Sequence, residues 1–98
     1  MSYQLYDVKG YLGDFATADG LKQLREAIYS KGENAAFEFL ELGASLITDE
    51  LEENLKDLIK KIKEPSVKET LKNLIKLMNG AELAIIINDG LNDNLTED

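Results

Sequence analysis

The stretch from Thr48 to Gly80 leaves the chain little choice of local structure. Leu51, Leu55, Leu58, Ile59 and Ile62 stand at offsets 0, 4, 7, 8 and 11, the spacing of one helix face and not of a strand. Thr48 supplies an N-cap. Asp49, Glu50, Glu52 and Glu53 crowd the first turn and Lys60, Lys61 and Lys63 the last, each sign at the end where the helix macrodipole favours it. Pro65 ends this helix, and Ser66-Val67-Lys68-Glu69 reads as a capping box opening the next. Val67, Leu71, Leu74, Ile75 and Met78 form the stripe of that second helix, expected over residues 67–79 and closed by Gly80. A connection of about three residues makes the two an antiparallel hairpin.

The flanking sequence is read around this hairpin. Residues 3–8 alternate bulky and polar side chains, which predicts a short strand with Tyr3, Leu5 and Val8 toward the core. Gly10-Tyr11-Leu12-Gly13-Asp14, with two glycines, reads as a loop. A first helix over 19–30, capped by Thr17 or Asp19, carries Leu21, Leu24 and Ile28 at helical spacing and stops at Lys31-Gly32. Asn34 caps a second, short helix running to Gly43 and apolar on more than one face, so it is expected to pack on two sides. Leu83 to Asn88 is β-branched and apolar, followed by an Asp89-Gly90 turn signal. It reads as a strand buried on both faces, although periodicity alone also allows a helical continuation. A strand needs a partner for its backbone groups, and the N-terminal strand is the natural one. The expected fold is therefore α+β and mainly α: four helices, the last two forming a C-terminal helical hairpin, and two short terminal strands able to pair. Residues 1–90 are expected to form one compact domain, with 91–98 an acidic, flexible tail.

Composition narrows the chemistry. With 98 residues the chain makes one domain. It has no Cys and no His, which excludes disulfides, thiolate chemistry and the commonest general base and zinc ligand. No cofactor is expected. The longest apolar run, Leu83 to Ile87, is far shorter than the ~20 residues of a membrane span. The N-terminus lacks a basic start followed by an apolar core, so a cytoplasmic location is expected. A net charge of −8 disfavours direct contact with nucleic acid or an anionic membrane, and keeps a small protein soluble.

Other candidate sites have simpler explanations. The acidic cluster Asp49-Glu50-Glu52-Glu53 is accounted for by the helix dipole. Asn88 to Asn94 has the composition of a calcium loop, but placing Gly90 at its sixth position puts Ile85 at the first, where no ligand atom is available. Lys68, Lys72 and Lys76 form a basic stripe that reads as a solvated face. Gly10-Tyr11-Leu12-Gly13 lacks the Gly-Lys-Ser/Thr ending of a phosphate loop. Ser30-Lys31 sit side by side where a helix ends, a poor arrangement for a Ser-Lys pair.

All seven aromatic residues lie in the first forty positions. Core packing uses most of them, but Tyr6 and Tyr11, near a strand and a loop, suit an exposed contact patch. In the second helix Phe37, Phe39, Leu40 and Leu42 offer more apolar surface than one packing face requires, pointing to self-association. The expected partner-binding residues are Tyr6, Tyr11, Phe37, Phe39 and Leu42. Finally, Gly13-Asp14-Phe15-Ala16-Thr17-Ala18-Asp19-Gly20-Leu21, with Ile85-Ile86-Ile87-Asn88-Asp89-Gly90, resembles small uncharacterised proteins of tailed-phage and prophage gene clusters near the head genes. The resemblance implies a structural or accessory role in assembly, exercised through protein contacts in the host cytoplasm or the virion. The expected function is a non-enzymatic protein–protein interaction module whose partner is another protein or a second copy. The alternative is an acidic decoy, of inhibitor or immunity type, that occupies a nucleic-acid-binding site on its partner. A carboxylate-and-metal enzyme is a third reading.

Overall fold

A computed structural model of the protein describes residues 2–32 and 34–88; the Asp89-Gly90 turn and the 91–98 tail expected from the sequence lie outside the described residues. The elements in chain order are β1 (Ser2–Asp7), β2 (Gly10–Thr17), α1 (Ala18–Tyr29), α2 (Ala35–Leu42), β3 (Ala44–Leu46), α3 (Asp49–Lys61), α4 (Pro65–Met78) and β4 (Leu83–Asn88). The fold is α+β and mainly helical, with four helices and one antiparallel sheet of strand order β2-β1-β4-β3. The two strands expected near the ends of the chain pair: β1 and β4 are antiparallel neighbours, with Leu5 opposite Ile86 and Tyr6 opposite Ile85.

Two strands were not expected. The segment predicted to be a loop at residues 10–14 belongs to β2, which forms a hairpin with β1. Its pairing skips at two places: Tyr11 opposes Tyr6 while Gly13 opposes Leu5, and Asp14 opposes Gln4 while Ala16 opposes Tyr3. Each skip is a β-bulge, in which two residues face one on the partner strand. The bulges let Leu12 and then both Phe15 and Ala16 pack toward the core, and this destroys the period-two alternation by which a strand is recognised. Gly13 is required here. Its φ is +153°, and a Cβ would lie 2.5 Å from Leu77 Cδ2.

The second unexpected strand, β3, is made possible by Gly43. At φ +79° it takes the left-handed conformation that closes α2, its N–H bonding Phe39 O at 2.8 Å. Its own carbonyl accepts Ile86 N–H at 2.8 Å. One residue thus ends a helix and begins a strand pairing. Only glycine adopts that conformation at little cost.

The helix starts follow local chemistry. Thr17 Oγ1 accepts Gly20 N–H, Asn34 Oδ1 accepts Phe37 N–H and Thr48 Oγ1 accepts Leu51 N–H, each worth about 1 kcal/mol. The fourth helix departs from expectation. Pro65 opens it as the first helical residue rather than ending α3, and Glu64 precedes it without a side-chain cap bond. Ser66, expected to cap, lies inside the first turn, where its carbonyl accepts Thr70 Oγ1–H at 3.1 Å. Proline has no N–H to leave unpaired and its φ suits a first turn, so it takes precedence over the serine.

The core joins Leu5 and Ala84 from the sheet to Leu21, Leu24, Ile28, Phe39, Leu55, Leu71 and Leu74 from the helices, all at 0–1% exposure. Each such leucine contributes ~1.5–3 kcal/mol on burial. Helix α1 packs on β1 and β2, α4 on β2, and α2 on β3, while α3 packs against α2 and α4. Val8, expected inside, is 68% exposed at the β1–β2 turn. The inward position goes instead to Asp7, which shares the strand face of Tyr3 and Leu5. Its Oδ1 accepts the backbone N–H groups of Val8 at 2.7 Å and Leu83 at 3.1 Å.

Candidate functional site

Directly paired residues of an antiparallel sheet share a face. The β1 and β4 residues that meet the helices are Tyr3, Leu5, Ala84 and Ile86. By alternation, the opposite face carries Gln4 and Tyr6 of β1 and Leu83, Ile85 and Ile87 of β4. Pairing adds Tyr11 and Asp14 from β2 and Ala44 and Leu46 from β3. None of these residues belongs to the core cluster or packs against it. Among the described residues the helices cover one side of the sheet and leave the other open.

That open face has two halves. On β1 and β2, Tyr6 and Tyr11 form a tilted ring pair with centroids 5.5 Å apart. Each phenol is tied down: Tyr6 Oη donates to Gln4 Oε1 at 3.1 Å and Tyr11 Oη to Asp14 Oδ1 at 2.7 Å. The Asp14 carboxylate, by accepting that hydrogen bond, raises the Tyr11 pKa above the ordinary 10.0. On β4 and β3 the face is aliphatic, with Leu83, Ile85 and Ile87 half-buried and Leu46 67% exposed. Asp14 is the one charged residue that strand pairing places on this face among the described residues. Apolar patches of a few hundred Å² are ordinary on a monomer's surface and are often where partners bind.

The residues expected to bind a partner thus divide. Tyr6 and Tyr11 come together on the open face, Tyr11 at 55% exposure. Leu42 is 78% exposed at the end of α2, two residues before β3 begins. Phe37 is half-buried, its ring 4.7 Å from that of Tyr29. Phe39 is a correction: at 1% exposure it is part of the core. With Ala36 and Leu40 also buried, α2 packs against both α1 and α3, and its excess apolar surface reduces to Leu42 and part of Phe37. Leu83, Ile85, Ile87 and Leu46 were not anticipated as contact residues. The β4 run was expected to be buried on both faces, and nothing local distinguishes a covered isoleucine from an open one.

Elsewhere the structure offers little chemistry. An open cleft of about 540 Å³ between α1 and the α3–α4 connection is lined by Glu26 and Glu64 together with Lys31, Lys61 and Lys63. Ser30, beside Lys31, donates its hydroxyl to Ala27 O at 2.7 Å. A smaller groove of about 220 Å³ between α3 and α4 has Leu55, Ile75 and Met78 at its base. Asp49, Glu50, Glu52 and Glu53 all point to solvent. Among the described residues no three carboxylates converge in a way that could hold a metal ion, and no helix is long and apolar enough to cross a membrane. Comparisons with protein-family models, curated proteins and solved structures each returned no match.

Proposed function

We propose that the protein is a non-enzymatic interaction module that works through the open face of its sheet, in the structural or accessory manner that the phage-like resemblance implies. The observation carrying this reading is the one-sided helix layer, which leaves Tyr6, Tyr11, Leu83, Ile85, Ile87 and Leu46 on a nearly uncharged surface. Tyrosine suits such a role, because it brings a large rigid apolar area with one polar tip and loses little rotamer freedom.

The acidic-decoy reading finds less support. A decoy needs carboxylates spaced like phosphates on one surface, yet Lys56, Lys60 and Lys61 stand among the carboxylates of α3. The test compares protein captured from host or phage lysate by the parent chain, by Tyr6→Ala/Tyr11→Ala and by a chain with Asp49, Glu50, Glu52 and Glu53 neutralised. Loss of the captured protein with the tyrosine variant alone is the expected result. Loss with the neutralised helix alone, together with release by salt, moves the function to the acidic surface.

A further inference from the structure

We propose that Asn79 is a site of spontaneous covalent modification. Its side chain closes onto the backbone nitrogen of Gly80 as a succinimide, which water opens to aspartate or isoaspartate, and the isoaspartate form loosens the α4–β4 connection.

Sequence and structure select this position independently. Asparagine is a chemically labile residue, and the nitrogen that attacks its side chain belongs to the next residue. Of the seven asparagines only Asn79 is followed by glycine, so only there does the attacking residue have no Cβ in the way. The other described asparagines are also tied down. Asn34 Oδ1 accepts Phe37 N–H at 3.0 Å, and the N–H that would attack it, from Ala35, donates to Asn54 Oδ1 at 3.0 Å. Asn54 and Asn73 stand inside α3 and α4, where the following N–H groups belong to the helical ladder. Asn73 Nδ2 donates to Asp14 O at 3.0 Å and Phe15 O at 2.8 Å, and Asn88 Nδ2 donates to Tyr3 Oη at 3.5 Å.

Asn79 has neither restraint. With φ −60° and ψ 121° it follows α4, and with Gly80 at φ +82° it makes the centre of a type II turn. One bond closes the turn, from Ala81 N–H to Met78 O at 3.0 Å. Both central residues are exposed. Among the described residues neither the Asn79 side chain nor the Gly80 N–H has a hydrogen-bond partner. A Cβ placed on Gly80 would meet nothing within 4 Å, so there is room for a ring. At ψ 121° the Gly80 nitrogen is turned away from the side chain, and ring closure requires rotation about the Asn79 Cα–C bond. That rotation breaks one turn hydrogen bond, and neither residue belongs to the core. Exposed turns open locally at small cost.

The chemistry needs only water. Gly80 N gives up its proton and bonds to Asn79 Cγ, the Cγ–Nδ2 bond breaks, and ammonia leaves with that proton. Water then adds to one of the two ring carbonyls. Opening at Cγ gives aspartate. Opening at the main-chain carbonyl gives isoaspartate, in which the chain runs on through Cβ and Cγ. Either product takes the net charge from −8 to −9, beside Glu52, Lys56 and Lys76 at the rim of the α3–α4 groove. Isoaspartate also adds a carbon to the main chain at the turn leading into β4.

Incubation of the full chain at physiological pH and temperature, followed by peptide mass mapping and enzymatic methylation of isoaspartate, tests this. The expected result is exchange of the amide –NH2 for –OH at Asn79, at least tenfold faster than at Asn34, Asn54 or Asn73, with the new oxygen drawn from isotope-labelled water. The rate should rise with pH, because the attacking nitrogen must lose its proton. Asn79→Gln, whose ring would be six-membered, should abolish the exchange over the same period while circular dichroism stays unchanged. The isolated isoaspartate form should unfold at lower urea than the parent. No exchange at Asn79 overturns the inference, and so does exchange no faster than at the other three. If the urea-unfolded chain reacts at Asn79 and the folded chain does not, the turn protects the residue and the inference falls. An isoaspartate form as stable as the parent overturns the loosening of the α4–β4 connection.

Discussion

Asp7 shows how much a single side chain can connect. Its Oδ1 accepts one N–H in the β1–β2 turn and another at the start of β4, joining residues 76 positions apart. Removing it takes the acceptor from two partly buried N–H groups, at ~1–3 kcal/mol. Asp7→Ala should therefore lower the stability measured by urea denaturation by about 2 kcal/mol, and Asp7→Asn, which keeps an acceptor oxygen, by less. Tyr11 and Tyr29 make a second prediction. Tyr29 Oη donates to Glu41 at 2.6 Å, as Tyr11 does to Asp14, and both phenols have pKa values raised above 10.0 by the hydrogen bond to a carboxylate. The fold prefers the neutral phenol, so this small stabilisation is fully present below pH 10.0 and is lost as pH rises through the higher folded value. In an ultraviolet titration, Tyr11→Phe and Tyr29→Phe should each remove a component that ionises later than an ordinary tyrosine. Asp14→Asn should move the Tyr11 component down.

At the scale of elements, β2 depends on its helix as much as on its neighbouring strand. Gly13 allows Leu77 of α4 to lie against the strand backbone, and Asn73 satisfies two of its carbonyls. Gly13→Ala combines an unfavourable φ with a collision, so a loss of more than about 1 kcal/mol is expected in thermal unfolding. Asn73→Ala should cost ~1 kcal/mol. It should also speed hydrogen exchange along β2 more than along β4, because the edge strand loses its cover. Protection lost equally across the whole sheet would mean that Asn73 acts on global stability alone.

The whole molecule separates its surface properties by layer. Leucine-rich helix faces close over one side of the sheet, α3 presents Asp49, Glu50, Glu52, Glu53 and Asp57 beyond them, and among the described residues the other side of the sheet is open and almost neutral. Salt should therefore act differently on the two surfaces: contacts through the sheet face should change little as ionic strength rises, and contacts through the α3 carboxylates should weaken. A salt series on any complex the protein forms would identify the layer involved.

By itself the sequence determined the four helices, because a 3.6-residue stripe and its caps are local properties. Thr17, Asn34 and Thr48 were legible as caps, and Tyr6 and Tyr11 as candidates for exposure. Where local signals competed the expected start was off by two residues, as when Pro65 displaced Ser66 from the start of α4. The pairing of β1 with β4 followed from the need of a buried strand for a partner. Tertiary structure alone decided the rest. The β2 strand is held by pairing across two bulges and by Asn73 and Leu77 of a distant helix, so its residues show no alternation of their own. The β3 strand has three residues and exists because Gly43 turns the chain beside Ile86. The open face could not be read from Leu83 to Asn88, since Ile85 and Ile86 are the same residue type side by side. One packs beneath the helices and the other faces outward, and only the placement of α1, α2 and α4 on a single side of the sheet makes them different.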